Sequence, residues 1–349
     1  MSVEIGIIGL AKSGKTTVFN AVSGANVRLD AFENTGPNTS TVKVPDKRME
    51  EISRIYRPKK TTHALVTFLD AGAENYKDLS DMDALVFTVR LFGDPGVPHP
   101  KNKISPLDDA RDILQSLVLE DMMKIETRMD RIEKKTGKKD SDGVPGEREL
   151  LLKIKKGLEA GTGITNMEIS GDEEKIIRGY RFLSQKPFII AVNIGENQLN
   201  DAAAVSDVMK YSQNENIPAV AICGKIEMEI SALPEEERPA FMEASGISAS
   251  SRDNLIRAAY TRLNLISFFT VGEDEVRAWT VNKGSSARKA AGAIHSDIEK
   301  GFIRAEVVDC ETLLRLGSWE NCKREKLIRL EQKDYEIKDG DCVSFRFNV

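Results

Sequence analysis

The sequence is poor in histidine and cysteine, and this limits the chemistry that it can support. The residues concerned are His63, His99 and His295, together with Cys223, Cys310, Cys322 and Cys342. Three scattered histidines argue against a histidine-based catalytic triad or a metal site built from histidines. The cysteines form no C-x-x-C pair, so we expect reduced thiols that neither form disulfides nor bind zinc.

Long apolar runs and a strong net charge are also missing. No apolar run approaches the ~20 residues that span a bilayer, and the N-terminus has no signal-peptide pattern, so we expect a cytoplasmic protein without a membrane partner. The net charge of −5 argues against tight non-specific binding of nucleic acid by the whole chain, although it leaves room for a local basic face. A chain of 349 residues predicts two or three domains.

The strongest functional signal is an eight-residue stretch near the N-terminus, Gly9-Leu10-Ala11-Lys12-Ser13-Gly14-Lys15-Thr16. It matches the G-x-x-x-x-G-K-[ST] pattern of a phosphate-binding P-loop. An apolar run at 3–8 predicts a buried strand before it, and residues 17–22 predict a helix after it. A chance match on a surface turn is the alternative, but it would not explain why strand, motif and helix follow in this order.

Each part of the stretch has a predicted role. The glycines let successive backbone N–H groups turn inward towards phosphate oxygens, and the following helix adds its positive N-terminal dipole. Lys15 is the candidate for the β- and γ-phosphates, and the hydroxyl of Thr16 is the candidate for Mg²⁺. The predicted nucleotide-binding residues of this stretch are Gly9, Ala11, Lys12, Ser13, Gly14, Lys15, Thr16 and Thr17.

Further candidates follow predicted strands. The run at 64–70 ends in Asp70, a candidate Mg²⁺ ligand, although strand-end aspartates also commonly start turns. The run at 187–193 leads to Asn193 and Glu196, and the run at 218–223 leads to Gly224 and Lys225. Apolar runs that alternate with helical patterns predict a doubly wound parallel sheet, in which ligands bind at the carboxyl ends of the strands. Glu196 as a solvated strand-end carboxylate is the alternative for that residue.

Two regions depart from this alternation. Residues 107–183 show helical periodicity and predict an inserted antiparallel helical arm, with a capping box at Ser170 and Glu173. The lysine-rich patches of this arm favour solvated faces over nucleic-acid contacts. Residues 265–349 contain short strand-like segments with one helix candidate at 286–294, which predicts a small α+β module. The polar stretch at 24–45 would cross the phosphates as a switch loop in a P-loop enzyme, and a plain surface connection is the alternative.

The sequence resembles the YchF/Obg-like ATPases, a family in the translation-factor class of P-loop NTPases. The residues that carry the resemblance beyond the P-loop are Phe19-Asn20-Ala21, Phe32, Pro37-Asn38, Val44-Pro45-Asp46-Lys47-Arg48, Asn193-Ile194-Gly195-Glu196, Phe268-Phe269-Thr270, Glu275-Val276-Arg277-Ala278-Trp279-Thr280, Lys283-Gly284, Ala290-Ala291-Gly292, Ile294-His295-Ser296-Asp297, Gly301-Phe302-Ile303-Arg304-Ala305-Glu306-Val307, Asp339-Gly340-Asp341 and Phe345-Arg346-Phe347-Asn348-Val349.

This resemblance implies an architecture and a partner. It implies a P-loop nucleotide-binding domain at 1–106 and 184–264, a helical coiled-coil insertion at 107–183, and a C-terminal TGS domain of ubiquitin-like fold at 265–349. TGS domains are associated with ribosomes and RNA, so the resemblance implies such a partner for this domain and the helical arm. The implied activity is slow, Mg²⁺-dependent hydrolysis of ATP or GTP by a ribosome-associated switch, and we expect a monomer.

The sequence departs from the family pattern at both switches. Where the family has the Mg²⁺-binding threonine of the first switch, this chain has Asn34 with Thr35 beside it, which makes Thr35 the candidate ligand. After Asp70 much of the family's glycine-rich second switch is missing. Nucleotide binding is therefore better supported than hydrolysis, and two alternatives stay open: a nucleotide-binding scaffold that barely hydrolyses, and a nucleic-acid-binding module in which the P-loop domain is only a platform.

Lys12 is a second candidate catalytic residue beside Lys15. Many relatives have asparagine at this position, where in some it helps to hold a potassium ion beside the phosphates. The Lys12 ammonium could occupy that space as a fixed charge and neutralise the charge that develops during phosphoryl transfer. The alternative is a side chain that points into solvent.

Overall fold

The computed structural model describes residues 3–25, 27, 37–71, 76–135, 144–234, 236–247 and 249–348. The chain divides into two compact units. The P-loop unit comprises Glu4–Ser40 and Phe68–Ser251, and the C-terminal unit comprises Met1–Val3, Thr41–Thr67 and Arg252–Val349. The three domains and the boundaries proposed from the sequence remain a prediction.

The described residues form the following strands and helices. The strands are β1 (Glu4–Ile8), β2 (Asn38–Lys43), β3 (Lys60–Thr62), β4 (Leu65–Asp70), β5 (Ala84–Arg90), β6 (Phe188–Asn193), β7 (Ala219–Ile222), β8 (Leu265–Val271), β9 (Glu275–Asn282), β10 (Phe302–Asp309), β11 (Arg329–Glu331) and β12 (Asp341–Phe347). The helices are α1 (Lys15–Ser23), α2 (Lys47–Tyr56), α3 (Tyr76–Leu79), α4 (Pro106–Lys135), α5 (Glu147–Glu159), α6 (Gly171–Arg178), α7 (Ser206–Glu215), α8 (Gly224–Ala232), α9 (Arg238–Ala244), α10 (Ser251–Arg262), α11 (Ala287–Ile294), α12 (Ser296–Lys300), α13 (Cys310–Leu316) and α14 (Trp319–Arg324).

A six-stranded sheet in the order β2-β4-β1-β5-β6-β7 carries the predicted P-loop. Its pairs β1–β5, β5–β6 and β6–β7 are parallel, as the apolar runs predict. Every residue of β5 is buried, because this strand has a neighbouring strand on each side and helices over the sheet. The predicted α/β fold with a parallel sheet is thus confirmed, and the carboxyl ends of β1, β5 and β6 lie at one edge.

The segment between β5 and β6 is largely helical, as predicted. Helix α4 runs for 30 residues, and α5 and α6 pack against it through an apolar cluster of their own that includes Ile125, Leu151 and Ile154. The predicted capping box at Ser170 and Glu173 is confirmed at the start of α6. No helix of the described residues is long and apolar enough to cross a membrane.

The C-terminal unit contains a second six-stranded sheet in the order β11-β10-β12-β8-β9-β3. Its pairs β8–β9, β10–β11 and β10–β12 are antiparallel, whereas β3 pairs in parallel with β9 and β12 with β8. Short strands are present after residue 265 as predicted, and the helix predicted at 286–294 is α11, which begins one residue later. Helix α11 packs on one face of the sheet through Ala287 and Ala290.

The polar stretch predicted as a loop at 24–45 contains a strand, and the residues that follow it belong to the C-terminal unit. Strand β2 occupies residues 38–43, and α2 and β3 belong to the C-terminal unit. Arg48 in α2 donates to Asp339 at 2.9 Å and lies over the ring of Phe269, with its guanidinium carbon 5.3 Å from the ring centroid. The C-terminal sheet is therefore completed by a strand from the first fifth of the chain.

Candidate nucleotide-binding site

The P-loop connects the end of β1 to the start of α1. Gly14 is the N-cap residue of α1 and has a left-handed backbone with φ = 88°, a conformation that suits glycine. At Gly9, an added Cβ would lie 2.4 Å from the carbonyl oxygen of Thr88, so only glycine fits there. These two glycines let the loop form a cradle that a larger residue would fill, as a phosphate-binding loop requires.

Two side chains of the loop are suited to bind phosphate. The ammonium of Lys15 donates to the carbonyl oxygens of Gly9 at 2.8 Å and Leu10 at 3.4 Å, so the side chain folds back over the loop. The hydroxyl of Ser13 is buried and, among the described residues, has no hydrogen-bond partner. A buried polar group without a partner usually marks a place where a ligand or water binds. The Lys15 ammonium and the Ser13 hydroxyl are both hydrogen-bond donors, as the phosphate oxygens of the predicted nucleotide require.

Thr16 and Asp70 meet beside the loop. The hydroxyl of Thr16 donates to the Asp70 carboxylate at 2.9 Å, and Asp70 is 3 % exposed at the end of β4. Their oxygens are the ligand type that Mg²⁺ prefers, and a Mg²⁺ ion at such a site completes its shell with phosphate and water oxygens. In the described part of the chain, no group of three or more His, Cys, Asp or Glu side chains could hold a metal by itself. The third predicted ligand, Thr35, lies outside the described residues.

Asn193 joins three of the predicted segments. It is buried at the end of β6, and its amide nitrogen donates to the carbonyl oxygen of Ser13 at 3.1 Å. Its amide oxygen accepts the backbone N–H of Gly224 at 3.2 Å. The side chain therefore fixes the P-loop against the start of α8.

Glu196 and Lys225 pair with each other at the same edge. The ammonium of Lys225 donates to the Glu196 carboxylate at 2.7 Å, and both side chains are more than half exposed. The hydrogen bond with Glu196 raises the pKa of Lys225 above its usual range. The structure thus brings the predicted strand-end residues together, and it gives Glu196 a cationic partner that the sequence did not predict.

Sequence reasoning missed two residues at this edge, Arg90 and Phe92. A Cβ on Gly14 would lie 3.8 Å from the Phe92 ring, and a Cβ on Gly195 would lie 3.6 Å from the Cβ of Phe92. Phe92 therefore lies between the P-loop and the turn that carries Glu196. The sequence did contain one indication of these residues, because Arg90 is a charged residue at the end of an otherwise apolar strand.

Known proteins of one family are similar to this chain over its whole length. Residues 265–348 match the family model YchF-GTPase_C, described as "Protein of unknown function (DUF933)". The chain is 38 % identical over 367 residues to the ribosome-binding ATPase YchF of Bacillus subtilis (strain 168). It is 35 % identical over 364 residues to the protein of the same name from Haemophilus ducreyi. Both alignments cover 100 % of each chain.

Solved structures give the same result for the fold. A YchF GTPase from Schizosaccharomyces pombe superposes with a TM-score of 0.82 at 26 % identity, covering 99 % of this chain and 97 % of the other. A GTP-binding protein from Pyrococcus horikoshii OT3, at 16 % identity and a TM-score of 0.60, shares the fold and covers 99 % of this chain and 100 % of the other. The resemblance found in the sequence motifs is confirmed, and the chain belongs to the YchF family.

Proposed function

We propose that this P-loop protein is a Mg²⁺-dependent NTPase that binds ATP at least as well as GTP and hydrolyses it slowly. The observation that carries the proposal is the contact of 2.9 Å between Thr16 and Asp70, beside the folded-back ammonium of Lys15. The oxygens of Thr16 and Asp70 suit Mg²⁺, and the ammonium of Lys15 suits the phosphates of a nucleoside triphosphate. The names of the relatives, which describe ATPases, support the same activity.

Hydrolysis at this site would transfer the γ-phosphoryl group to water, releasing a nucleoside diphosphate and inorganic phosphate. Such reactions depend on positioning and on neutralising charge, because there is little covalent chemistry for the protein to perform. Lys15 would hold the β- and γ-phosphates in place. Thr16 and Asp70, with Thr35 as a further candidate, would hold Mg²⁺, which supplies positive charge at the phosphates when it is bound.

We expect the site to bind adenine at least as well as guanine. Guanine-specific relatives use an N-K-x-D motif whose aspartate accepts two hydrogen bonds from guanine. This chain has Glu196 at that place, one methylene longer, and the flanking lysine is absent. Poorly paired guanine donors cost about 1–3 kcal/mol. Because Glu196 already accepts a hydrogen bond from Lys225, its carboxylate is also less available to guanine.

A side-by-side titration of the protein with ATP and GTP, each with Mg²⁺, tests this selection and the nucleotide binding on which the proposed function depends. We expect ATP to bind with an affinity equal to or higher than that of GTP. Glu196→Asp shortens the side chain to that of the guanine-specific motif and should shift the ratio towards GTP. If the unmodified protein bound GTP a hundredfold more tightly than ATP, the adenine assignment would be wrong.

Lys12 is proposed as a fixed cation at the phosphates. The residue has φ = 60° in the tip of the loop, and its side chain is exposed. If the Lys12 ammonium supplies this charge, turnover should be equal in sodium and potassium buffers and should fall in Lys12→Ala and Lys12→Asn, with potassium partly restoring the asparagine variant. Turnover measured in both buffers checks this. Potassium-stimulated turnover of the unmodified protein, or an alanine variant with unchanged turnover, would count against Lys12.

A ribosomal partner is proposed as well. The relatives from Bacillus subtilis and Haemophilus ducreyi are named ribosome-binding ATPases, and they align with this chain over its whole length. The C-terminal unit, which contains the proposed TGS domain, and the helical arm formed by α4, α5 and α6 are the proposed contact regions. Neither region contains any of the predicted nucleotide-binding residues, so ribosome binding and nucleotide binding would use different residues.

A nucleotide-binding scaffold with little hydrolysis is the second candidate. The favouring observation is the short connection after Asp70, since α3 begins at Tyr76, six residues later. In the family pattern the second switch continues from this point as a long glycine-rich loop, and much of that loop is missing from this chain. The two candidates predict the same binding and differ only in phosphate release.

A further inference from the structure

Arg90, the last residue of β5, is a buried cation beside the candidate nucleotide site. Its side chain is among the largest that are fully buried, with 1 % of the residue exposed. Nε donates to the carbonyl oxygen of Phe92 at 3.0 Å, and Nη2 donates to the carbonyl oxygen of Asp94 at 3.4 Å. The guanidinium carbon lies 4.2 Å from the centroid of the Phe92 ring, which is a close cation–π contact. The one side chain thus holds the loop that follows β5.

The charge of Arg90 has no anionic partner within the part of the chain that the structure describes. Its partners are two carbonyl oxygens and an aromatic ring, and its Nη1 is buried without a hydrogen bond. By contrast, Arg128 in the helical arm pairs with the carboxylate of Glu147 at 2.9 Å. A buried charge without a counter-charge is costly, so proteins seldom keep one unless something else compensates it.

The position of Arg90 indicates what that compensation is. Its register partner in β6 is Asn193, whose side chain bonds the P-loop. The backbone N–H groups of Leu91 and Phe92 both donate to the carbonyl oxygen of Asn193, at 2.8 and 3.1 Å. Phe92 in turn lies against Gly14 of the P-loop. Arg90 therefore lies at the carboxyl ends of β5 and β6, where the phosphates of a bound nucleoside triphosphate would bring several negative charges.

We propose that Arg90 is a positioning residue of the nucleotide site, which holds Phe92 between Gly14 and Gly195 and whose buried charge is compensated by the phosphates of the bound nucleotide. This inference rests on the proposed nucleotide-binding function. Substitutions can separate two properties of Arg90. One is the planar shape of its guanidinium fork, which donates to two carbonyl oxygens and stacks on the Phe92 ring, and the other is its positive charge. A lysine keeps the charge but loses the fork, and a methionine loses both.

The experiment compares Arg90→Lys and Arg90→Met in the full chain, with Mg·ATP and with Mg·tripolyphosphate as ligands, by calorimetric titration. We expect Arg90→Lys to weaken ATP about tenfold and tripolyphosphate by less than about twofold, because the positive charge is kept while Phe92 no longer supports the turn at Gly195, which carries the proposed base contact Glu196. Arg90→Met should weaken both ligands, ATP by more than about tenfold and tripolyphosphate by about fivefold, because the charge is lost too. Phe92→Leu should reproduce the ATP-selective loss with Arg90 in place.

Lys186 provides a matched control for the loss of a buried cation. It is half-buried, donates to the carbonyl oxygens of Ser80 and Met82, and precedes β6 at the amino edge of the sheet, away from the site. Lys186→Met should lower Tm and leave both affinities unchanged. If the Arg90 variants bound both ligands as the unmodified protein does, or if Arg90→Lys lost both equally, the inference would be wrong. Absence of ATP binding by the unmodified protein would instead overturn the function on which it rests.

Discussion

Replacing Lys15 by alanine is expected to abolish nucleotide binding while the protein stays folded. The ammonium lies over the P-loop, 2.8 Å from the carbonyl oxygen of Gly9, where it would contact the β- and γ-phosphates. Losing a charged hydrogen-bonded contact of this kind costs about 2–5 kcal/mol, which is about 30-fold to 4,000-fold in affinity. The hydrogen bonds that Lys15 makes within the loop contribute only about 1 kcal/mol each to stability.

Titration of Lys15→Ala with ATP and with GTP, together with a thermal melt, measures both expectations. Lys175→Ala is a suitable control, since Lys175 is an exposed lysine in α6 of the helical arm that pairs with Asp172. The control should bind ATP and GTP as the unmodified protein does. Unchanged affinity in the Lys15 variant would show that the P-loop is not the nucleotide site.

Gly14→Ala is expected to have the second largest effect. The residue has φ = 88°, and an added Cβ would lie 2.1 Å from the amide nitrogen of Asn193. A residue other than glycine in this conformation costs about 1–2 kcal/mol, and the overlap must in addition displace the loop or Asn193. Displacing Asn193 breaks its bonds to Ser13 and Gly224. We expect a loss of stability of about 2–4 kcal/mol, and at least about a hundredfold loss of ATP affinity.

Gly146→Ala separates the two causes. Gly146 is also the N-cap residue of a helix, α5, and has a similar φ of 82°, but an added Cβ would have no atom within 4 Å. The variant should lose only the conformational part of the stability, about 1–2 kcal/mol, and keep its ATP affinity. Chemical denaturation and ATP titration of both variants give the comparison. Equal losses of affinity in the two variants would exclude the contact with Asn193 as the cause.

Features that depend on short-range sequence patterns could be predicted from the sequence. Apolar runs predicted the buried strands β5 and β6, because a strand covered on both faces must be apolar throughout. The motif at 9–16 and the polar residues at strand ends predicted which side chains meet, since parallel strands end at one edge. The sequence named Thr16 and Asp70 as candidate Mg²⁺ ligands, and the structure shows that their side chains are in contact.

Other features depend on contacts that no local pattern contains. The buried residues of α2, Met49 and Ile52, lie within a strongly charged sequence. Nothing local indicates that α2 belongs to the C-terminal unit, or that β3 joins a sheet made largely from the C-terminal third of the chain. The proposed role of Arg90 could not be predicted from the sequence either, because it also depends on contacts that no local pattern contains. Its partners are backbone carbonyl oxygens and a ring from the following loop, and carbonyl oxygens leave no signature in the sequence.

Release of phosphate from ATP in a single turnover tests the hydrolase assignment most directly. Enzyme in excess over ATP, with Mg²⁺, should release phosphate faster than buffer alone. The same reaction with Lys15→Ala should proceed at the rate of buffer. Release by the unmodified protein that is no faster than buffer, in a sample that binds ATP, would contradict hydrolysis and favour the nucleotide-binding scaffold.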